Sequence, residues 1–227
     1  MKFVKKVLPF IFLTSFIFNS NLLFAKNKEI MIPLESQSWQ VLKFNKIPAN
    51  SIVFSANKMN IFVDKSSSPV IYTFKKIKRF KRLRVKGSVT GDINNLFLKE
   101  QQGSKGADDF VFKIGVVYEG EKTLGFWKRK FAADWILKLF SLAPQKSGIS
   151  YVQFFNVYKD QNLKNKKRTH PLSDLLKEKF VTTLNKNNEF LIDEQLLNKK
   201  ILALWVSADG DDTLSKFNVA ISELSLY

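Results

Sequence analysis

The sequence has no cysteine and a single histidine, His170, and each scarcity excludes a class of chemistry. Without cysteine, no disulfide can stabilise the fold and no lipid can be attached through a cysteine thiol. One histidine leaves only carboxylates to complete a zinc site, which argues against zinc. The Gly-x-Ser-x-Gly motif of serine hydrolases is also absent, so we interpret His170, in its basic loop, as a structural residue and not a catalytic base.

Long apolar runs are also missing after Ala25, because no later stretch reaches the roughly 20 residues that span a bilayer. The one apolar run, Val7 to Phe18, is too short to span comfortably and follows a lysine-rich start. This order predicts a secretory signal peptide over Met1 to Ala25, with an uncleaved anchor as the alternative. We therefore expect a periplasmic or secreted protein that begins near Lys26, with no transmembrane segment after cleavage.

The charge balance is strongly basic, with 37 lysines and arginines against 20 aspartates and glutamates and a formal net charge of +17. Such a charge attracts polyanions, including acidic polysaccharides and anionic lipid head groups. We expect an envelope glycan or another anionic polymer as the partner, and no nucleic acid. The alternative is that lysine is the residue that solvates this surface.

The remaining chain reads as one all-β domain, from residue 26 to residue 227. Short runs of β-branched and aromatic residues alternate with turn signals, which predicts an antiparallel β-sandwich, most simply a jelly roll. Two of these runs, Phe180 to Leu184 and Glu189 to Asp193, are expected to pair as a hairpin. The spacing of turns shows no βαβ rhythm, which argues against a parallel sheet.

One or two short helices are expected to pack on the sandwich. Phe131, Trp135 and Leu139 recur every four residues, which predicts a helix with one apolar face. A second short helix is predicted over Pro171 to Lys179.

The strand from Arg82 to Val89 separates apolar from basic residues. Leu83 and Val85 share one face, whereas Arg82, Arg84 and Lys86 share the other. The three basic residues are therefore candidates for binding a polyanion. The alternative is a well-solvated edge, since lysine also blocks pairing between strand edges.

Two acidic segments are candidates for a metal or for catalysis. Asp209, Asp211 and Asp212 lie on a turn with Gly210, and three carboxylates on a turn can hold calcium, the one cofactor that the sequence suggests. The alternative is an ordinary acidic turn. Asp108 and Asp109 precede a strong strand, and we predict that they meet the first cluster in space as ligand-binding residues.

Trp205 is a candidate for stacking on a ligand. In the strand from Ile201 to Ser207, Leu202, Leu204 and Val206 are expected to share one face, so Trp205 points the other way. An outward tryptophan can stack on a sugar ring. The alternative is that it packs under the predicted helix.

Four segments, in order along the chain, resemble an uncharacterised bacterial exported family that is known as domain of unknown function number 3047. They are Lys105 to Val117, Ala132 to Pro144, Lys167 to Pro171 and Leu204 to Asp212. The resemblance covers roughly Gly106 to Tyr227. It implies a β-sandwich similar to galactose-binding domains, and it implies no activity and no catalytic residues.

These observations predict an exported, non-enzymatic envelope protein that binds a glycan or another anionic polymer. One alternative is an envelope polysaccharide hydrolase that uses the carboxylate cluster, and another is a structural partner of an envelope protein. A deep cleft with facing carboxylates favours the enzyme, whereas a shallow aromatic groove favours binding.

Overall fold

The computed structural model describes residues 29–93, 101–171 and 173–227. The predicted signal peptide, Met1 to Ala25, lies outside the described residues. Among the described residues, no helix has both the length and the apolar character needed to cross a membrane.

About half of the described residues lie in strands, and two short α-helices are present. In chain order the strands are β1 (Ile30–Met31), β2 (Trp39–Val41), β3 (Ser51–Ser55), β4 (Lys58–Asp64), β5 (Val70–Arg79), β6 (Arg82–Asp92), β7 (Phe112–Gly120), β8 (Gly148–Val157), β9 (Lys167–Thr169), β10 (Leu176–Thr182), β11 (Glu189–Gln195), β12 (Lys200–Ser207) and β13 (Lys216–Leu226). The helices are α1 (Phe126–Phe131) and α2 (Asp134–Ser141).

The strands form two sheets. Sheet 1 has the order β11-β6-β13-β4-β3, with β1 also paired to β13, and sheet 2 has the order β2-β5-β12-β7-β8-β10-β9. The predicted all-β sandwich with short helices is confirmed. One neighbouring pair, β8 and β10, is parallel, which departs from the wholly antiparallel prediction.

The main core lies between the sheets and follows from alternation along the strands. Leu83 and Val85 of β6 are buried, as the period of two predicts, and they belong to the same apolar cluster as Ile114 of β7. Burial of such side chains contributes roughly 1.5–3 kcal/mol each. The core therefore fixes which face of every central strand points outward.

A second apolar layer covers the outer face of sheet 2. Leu139 of α2 packs there with Trp205 of β12 and Val152 of β8. This layer gives sheet 2 two buried faces, whereas the outer face of sheet 1 has no such helix within the described residues. The site described below lies beside this second layer.

The predicted helical stripe is partly wrong. Trp135 and Leu139 lie on α2, but the backbone is extended at Ala132 and Ala133, so Phe131 belongs to the separate helix α1. The Phe131 side chain is 88% exposed and does not join the apolar face. Because the helix is interrupted at the two alanines, Phe131 does not share the apolar face that Trp135 and Leu139 form on α2.

The helix predicted over Pro171 to Lys179 is also wrong. Residues from Leu176 onward form β10, which pairs with β8 on one side and with β9 on the other. Two sets of strand hydrogen bonds, together with burial of Glu178 and Phe180, outweigh the local helix signal.

The predicted hairpin between Phe180 to Leu184 and Glu189 to Asp193 is wrong because its two strands lie in different sheets. β10 belongs to sheet 2, whereas β11 pairs with β6 in sheet 1. The turn at residues 185–188 is present, with the Asn188 N–H donating to the Asn185 carbonyl at 2.9 Å. The chain therefore arches across the core instead of folding back within one sheet.

Candidate functional site

The two acidic segments meet at one end of sheet 2. The Asp108 N–H donates to Asp212 Oδ2 at 3.0 Å. The N–H and hydroxyl of Thr213 donate to Asp109 Oδ2 at 2.7 Å and 2.6 Å. The loop before β7 and the turn after β12 are therefore joined by direct hydrogen bonds.

The sheet topology explains why these segments meet. β7 and β12 are antiparallel neighbours, and Lys113 near the start of β7 pairs with Ser207 at the end of β12. In an antiparallel pair, the chain entering one strand lies beside the chain leaving the other. The sandwich therefore carries both acidic segments at one edge.

A buried ion pair lies at the centre of this cluster. Lys113 Nζ lies 2.5 Å from Asp209 Oδ2, and the two side chains are only 14% and 7% exposed. The hydroxyls of Ser67 and Ser207 donate to the other oxygen, Asp209 Oδ1, at 2.6 Å and 2.7 Å. The aspartate is thus held between the lysine and two hydroxyl donors.

The electrostatics of Lys113 favour its charged form. Burial lowers the pKa of the Lys113 amine, but the surrounding carboxylates, first Asp209 and then Asp108, raise this pKa above its ordinary value. Lys113 is therefore a permanent cation of this cluster at neutral pH.

A second set of contacts extends the cluster across β9 and β10. His170 Nε2 lies 2.7 Å from Asp108 Oδ2, and Arg168 Nη2 lies 2.8 Å from Asp108 Oδ1. Arg168 Nε also pairs with Glu178 Oε2 at 2.5 Å, and Asn156 donates to the other Glu178 oxygen at 2.9 Å. Burial raises the pKa of Asp108, but hydrogen bonding to His170 and the nearby cations hold it below its ordinary value.

Sequence reasoning did not identify four members of this cluster: Lys113, Asn156, Arg168 and Glu178. Three of them share a feature of the sequence pattern that could have identified them. Lys113, Asn156 and Glu178 occupy outward-facing positions on strands whose other outward positions are mostly apolar. A charged residue at such a position needs a partner, which makes it a candidate for a polar site.

An open cleft of about 580 Å³ lies beside the cluster on the outer face of sheet 2. Its lining is apolar along one part, where it includes Trp135, Leu139, Val152, Phe154, Leu176 and Trp205. Polar side chains line the other part, including Asp108, Lys113, His170, Glu178, Asp209 and Asp211. The cleft therefore combines an apolar surface with a dense set of hydrogen-bonding groups.

The loop at residues 44–47 and helix α2 form part of the cleft wall. Asn45 Nδ2 donates to Asp134 Oδ2 at 2.7 Å, and both residues line the cleft. Lys138 of α2 adds a hydrogen bond of 2.6 Å to Gln40 on the chain that leads into this loop. These contacts hold the loop at residues 44–47 against α2.

Trp205 lies on the outer face of β12, on the side that alternation indicated. It packs in the second apolar layer and is 6% exposed, so most of the ring is covered, as the alternative described. Leu202 departs from the expected face, because a register shift between Ile201 and Ala203 turns it into the same outer layer. Trp135 is the more exposed tryptophan in the cleft, and a ligand contact at Trp205 stays a prediction.

The acidic turn is not arranged as a calcium site. Asp209 Oδ2 pairs with Lys113, and Asp212 Oδ2 accepts a hydrogen bond from the Asp108 backbone, so both carboxylates are already engaged by protein groups. Among residues 29–93, 101–171 and 173–227, no three histidine, aspartate or glutamate side chains are grouped as metal ligands. The geometry therefore does not support calcium at Asp209, Asp211 and Asp212.

Asp211 differs from its neighbours in its proton affinity. It lines the cleft and is half-buried. Burial, with the nearby Asp209 and Asp109 carboxylates, raises the pKa of Asp211 to about 6. This side chain can therefore donate a hydrogen bond in mildly acidic solution.

The three basic candidates lie on the other sheet, away from the cleft. Arg82 and Arg84 of β6 pair with Asp193 of β11, and Arg84 and Lys86 pair with Glu223 of β13. Neighbouring strands thus supply carboxylates to this basic face. Polyanion binding by Arg82, Arg84 and Lys86 stays a prediction, and the structure does not bring them together with Trp205.

No family model matches this chain, and no curated protein matches it. Among solved structures, it is similar to a low-affinity xylan-binding module, CBM86, from Roseburia intestinalis, at 9% identity and a TM-score of 0.36, covering 88% of this chain and 95% of that one. It is also similar to a structure of CBM4, at 6% identity and a TM-score of 0.32, covering 88% of this chain and 96% of that one. At these values neither likeness carries an argument about function.

We predict that Lys113→Met lowers the free energy of unfolding by about 3 kcal/mol, because it leaves the Asp209 carboxylate buried without its cation. Urea unfolding measures the change. The double variant Lys113→Met/Asp209→Asn should recover part of the loss. Lys216→Met is the matched control, because the Lys216–Asp64 pair is largely exposed and its removal should change little. An equal loss in both single variants would contradict a central role for the buried pair.

Asp211→Asn should change how stability depends on pH. Because the folded pKa of Asp211 is raised from 3.8 to about 6, the folded state holds this proton more tightly than the unfolded chain does. The contribution of Asp211 to stability is therefore present below its unfolded pKa and is lost as pH rises through about 6. The unfolding free energy of the wild type minus that of Asp211→Asn should fall across this window. A flat difference would contradict the raised pKa.

Proposed function

We propose that this chain is an exported, non-enzymatic domain that binds a neutral glycan in the cleft on the outer face of sheet 2. The observation that carries the proposal is the juxtaposition, in one open cleft, of aromatic side chains and a rigid set of hydrogen-bonding groups. Sugar rings present apolar faces that stack on aromatic rings, and hydroxyls that pair with carboxylates and amines. Trp135 offers the stacking surface, and the polar end offers Asp211, Lys113 and His170.

The charge of the cleft favours a neutral ligand over the anionic polymer expected from composition. Seven carboxylates line it, from Asp108, Asp109, Asp134, Glu178, Asp209, Asp211 and Asp212, against the lysines Lys46 and Lys113 and the single His170. This acidic lining repels an acidic chain, although the whole protein is basic. Neutral hydroxyl groups, in contrast, can donate to the carboxylate oxygens.

Binding is favoured over hydrolysis because the carboxylates of the cluster are already engaged. Asp108, Asp109 and Asp209 accept hydrogen bonds from residues of the cluster, and Glu178 is held by Arg168 and Asn156. Side chains fixed in this way act as a scaffold. One observation favours a hydrolase as a second candidate: Asp211, with a raised pKa, has the protonation behaviour of a general acid.

We predict that Trp135→Ala weakens glycan binding at least about tenfold, because it removes the stacking surface of the cleft. A screen of neutral and acidic oligosaccharides identifies the ligand, and calorimetry on the best one measures the dissociation constant. Phe62→Ala is the matched control, since Phe62 is a half-exposed aromatic residue on sheet 1. Thermal unfolding of both variants shows that each remains folded.

Three outcomes would contradict this proposal. Binding restricted to acidic oligosaccharides would favour the basic face of sheet 1, and equal weakening in Phe62→Ala would remove the cleft as the site. Release of new reducing ends from the bound glycan, lost in Asp211→Asn, would instead establish the hydrolase.

Export is a separate part of the proposal and rests on residues 1–25. We predict that the protein recovered from the periplasm or medium begins near Lys26, because signal peptidase removes the apolar segment. Cell fractionation followed by N-terminal sequencing measures this. An intact Met1 in the membrane fraction would indicate an anchored protein.

A further inference from the structure

Trp205 is a buried tryptophan whose indole N–H has no acceptor among residues 29–93, 101–171 and 173–227. Trp39 shows the usual arrangement: it is 8% exposed, and its Nε1–H donates to the Pro33 carbonyl at 2.8 Å. A buried tryptophan N–H usually has such a partner, and the indole can only donate. The donor of Trp205 is therefore available to a ligand.

The unpaired N–H of Trp205 keeps contact with solvent. Trp205 Nε1 is not among the fully buried polar atoms that lack a partner in the described part of the chain, although the residue as a whole is only 6% exposed. The side chain lines the cleft on the outer face of sheet 2. A ligand in the cleft can therefore replace the solvent at this donor.

Trp205 lies where the apolar part of the cleft meets the polar part. In the strand register, Trp205 and Phe154 flank Gly115, and a Cβ at Gly115 would lie 2.6 Å from Phe154 Cε1, so the phenyl ring covers the glycine. Ser207 is the next outward residue of β12, about 7 Å further along the strand, and its hydroxyl donates to Asp209. The unpaired donor thus lies between an apolar surface and the acidic turn.

We propose that the cleft recognises an N-acetylated amino sugar, and that Trp205 Nε1 donates a hydrogen bond to the carbonyl oxygen of its acetamido group. This inference rests on the glycan-binding function proposed above. The acetamido group supplies an acceptor for the indole N–H, a methyl group for the apolar surface beside Phe154, and an amide N–H for the carboxylates of the turn after β12.

Other substituents match this part of the cleft less well. A hydroxyl at the same ring position has neither the carbonyl oxygen nor the methyl group. A protonated amine suits the carboxylates, but it places a second donor against the indole N–H, since an ammonium group accepts no hydrogen bond.

The test compares two neutral tetrasaccharides of the same β-1,4 linkage, one of N-acetylglucosamine and one of glucose. They differ only in the substituent at C2, which is acetamido in the first and hydroxyl in the second. Calorimetry on the processed chain, beginning at Lys26, measures both dissociation constants. We expect the N-acetylated tetrasaccharide to bind at least about tenfold tighter.

Trp205→Phe keeps an aromatic ring and removes the donor. We expect the preference for the N-acetylated tetrasaccharide to fall to within about twofold in this variant. Trp39→Phe is the matched control, because it removes a buried indole whose N–H already has a partner inside the protein, and it should keep the full preference. Thermal unfolding shows whether each variant remains folded.

A second measurement uses the wild type alone, so it holds even if Trp205→Phe does not fold. In ¹⁵N-labelled protein, the Trp205 indole N–H resonance should shift on addition of the N-acetylated tetrasaccharide, and its exchange with solvent should slow. The Trp39 indole N–H, which is already bonded, should change in neither respect.

Equal affinity for the two tetrasaccharides, or an unmoved Trp205 indole resonance, would overturn this inference and leave glycan binding in the cleft intact. An equal loss of preference in Trp39→Phe would assign the effect to packing, and tighter binding of the glucosamine tetrasaccharide would assign recognition to the carboxylates; either result also overturns it. Binding of neither neutral tetrasaccharide would overturn the inference, whereas the proposed function fails only if no neutral glycan of the screen binds.

Discussion

A cation and an anion are buried together where β7 begins and β12 ends, and each needs the other. Lys113 cannot lie under this edge of the sandwich without Asp209, and Asp209 draws Ser67 and Ser207 toward the same point. Because an unpaired buried charge is costly, this contact fixes the turn after β12 against the loop before β7. The positions of Asp109 and the other polar groups at the cleft end follow from it.

Charge is distributed unevenly over the part of the chain that the structure describes. The whole chain carries a net charge of +17, yet the charged side chains that line the cleft are mostly carboxylates. On sheet 1, in contrast, Arg82, Arg84 and Lys86 of β6 are paired across strands with Asp193 and Glu223. The basic composition suggests one polyanion partner, but in the folded protein the charged side chains form surfaces of different chemistry. These surfaces differ in local potential because charge acts over short distances in salt solution.

Local pattern predicted the sides of strands well and the partners of strands poorly. Alternation placed Leu83 inward and Trp205 outward, because the period of two is a property of any strand. The hairpin expected around residues 185–188 failed, because a turn signal does not specify whether the next strand stays in the same sheet. Phe131 failed as a helix-stripe residue, because two extended alanines interrupt the helix before Trp135.

The sequence by itself determined an all-β sandwich, most of the inward and outward positions on its central strands, and the two acidic segments as polar candidates. Only the tertiary structure decided that Asp108 meets Arg168 and His170, and that Lys113 neutralises Asp209. The physical reason is the distance along the chain over which each kind of interaction acts. Alternation and turn chemistry act between near neighbours in the chain, whereas a cleft is assembled from residues on separate strands and loops. Their contacts are set by strand order, which cooperative burial of the whole core selects.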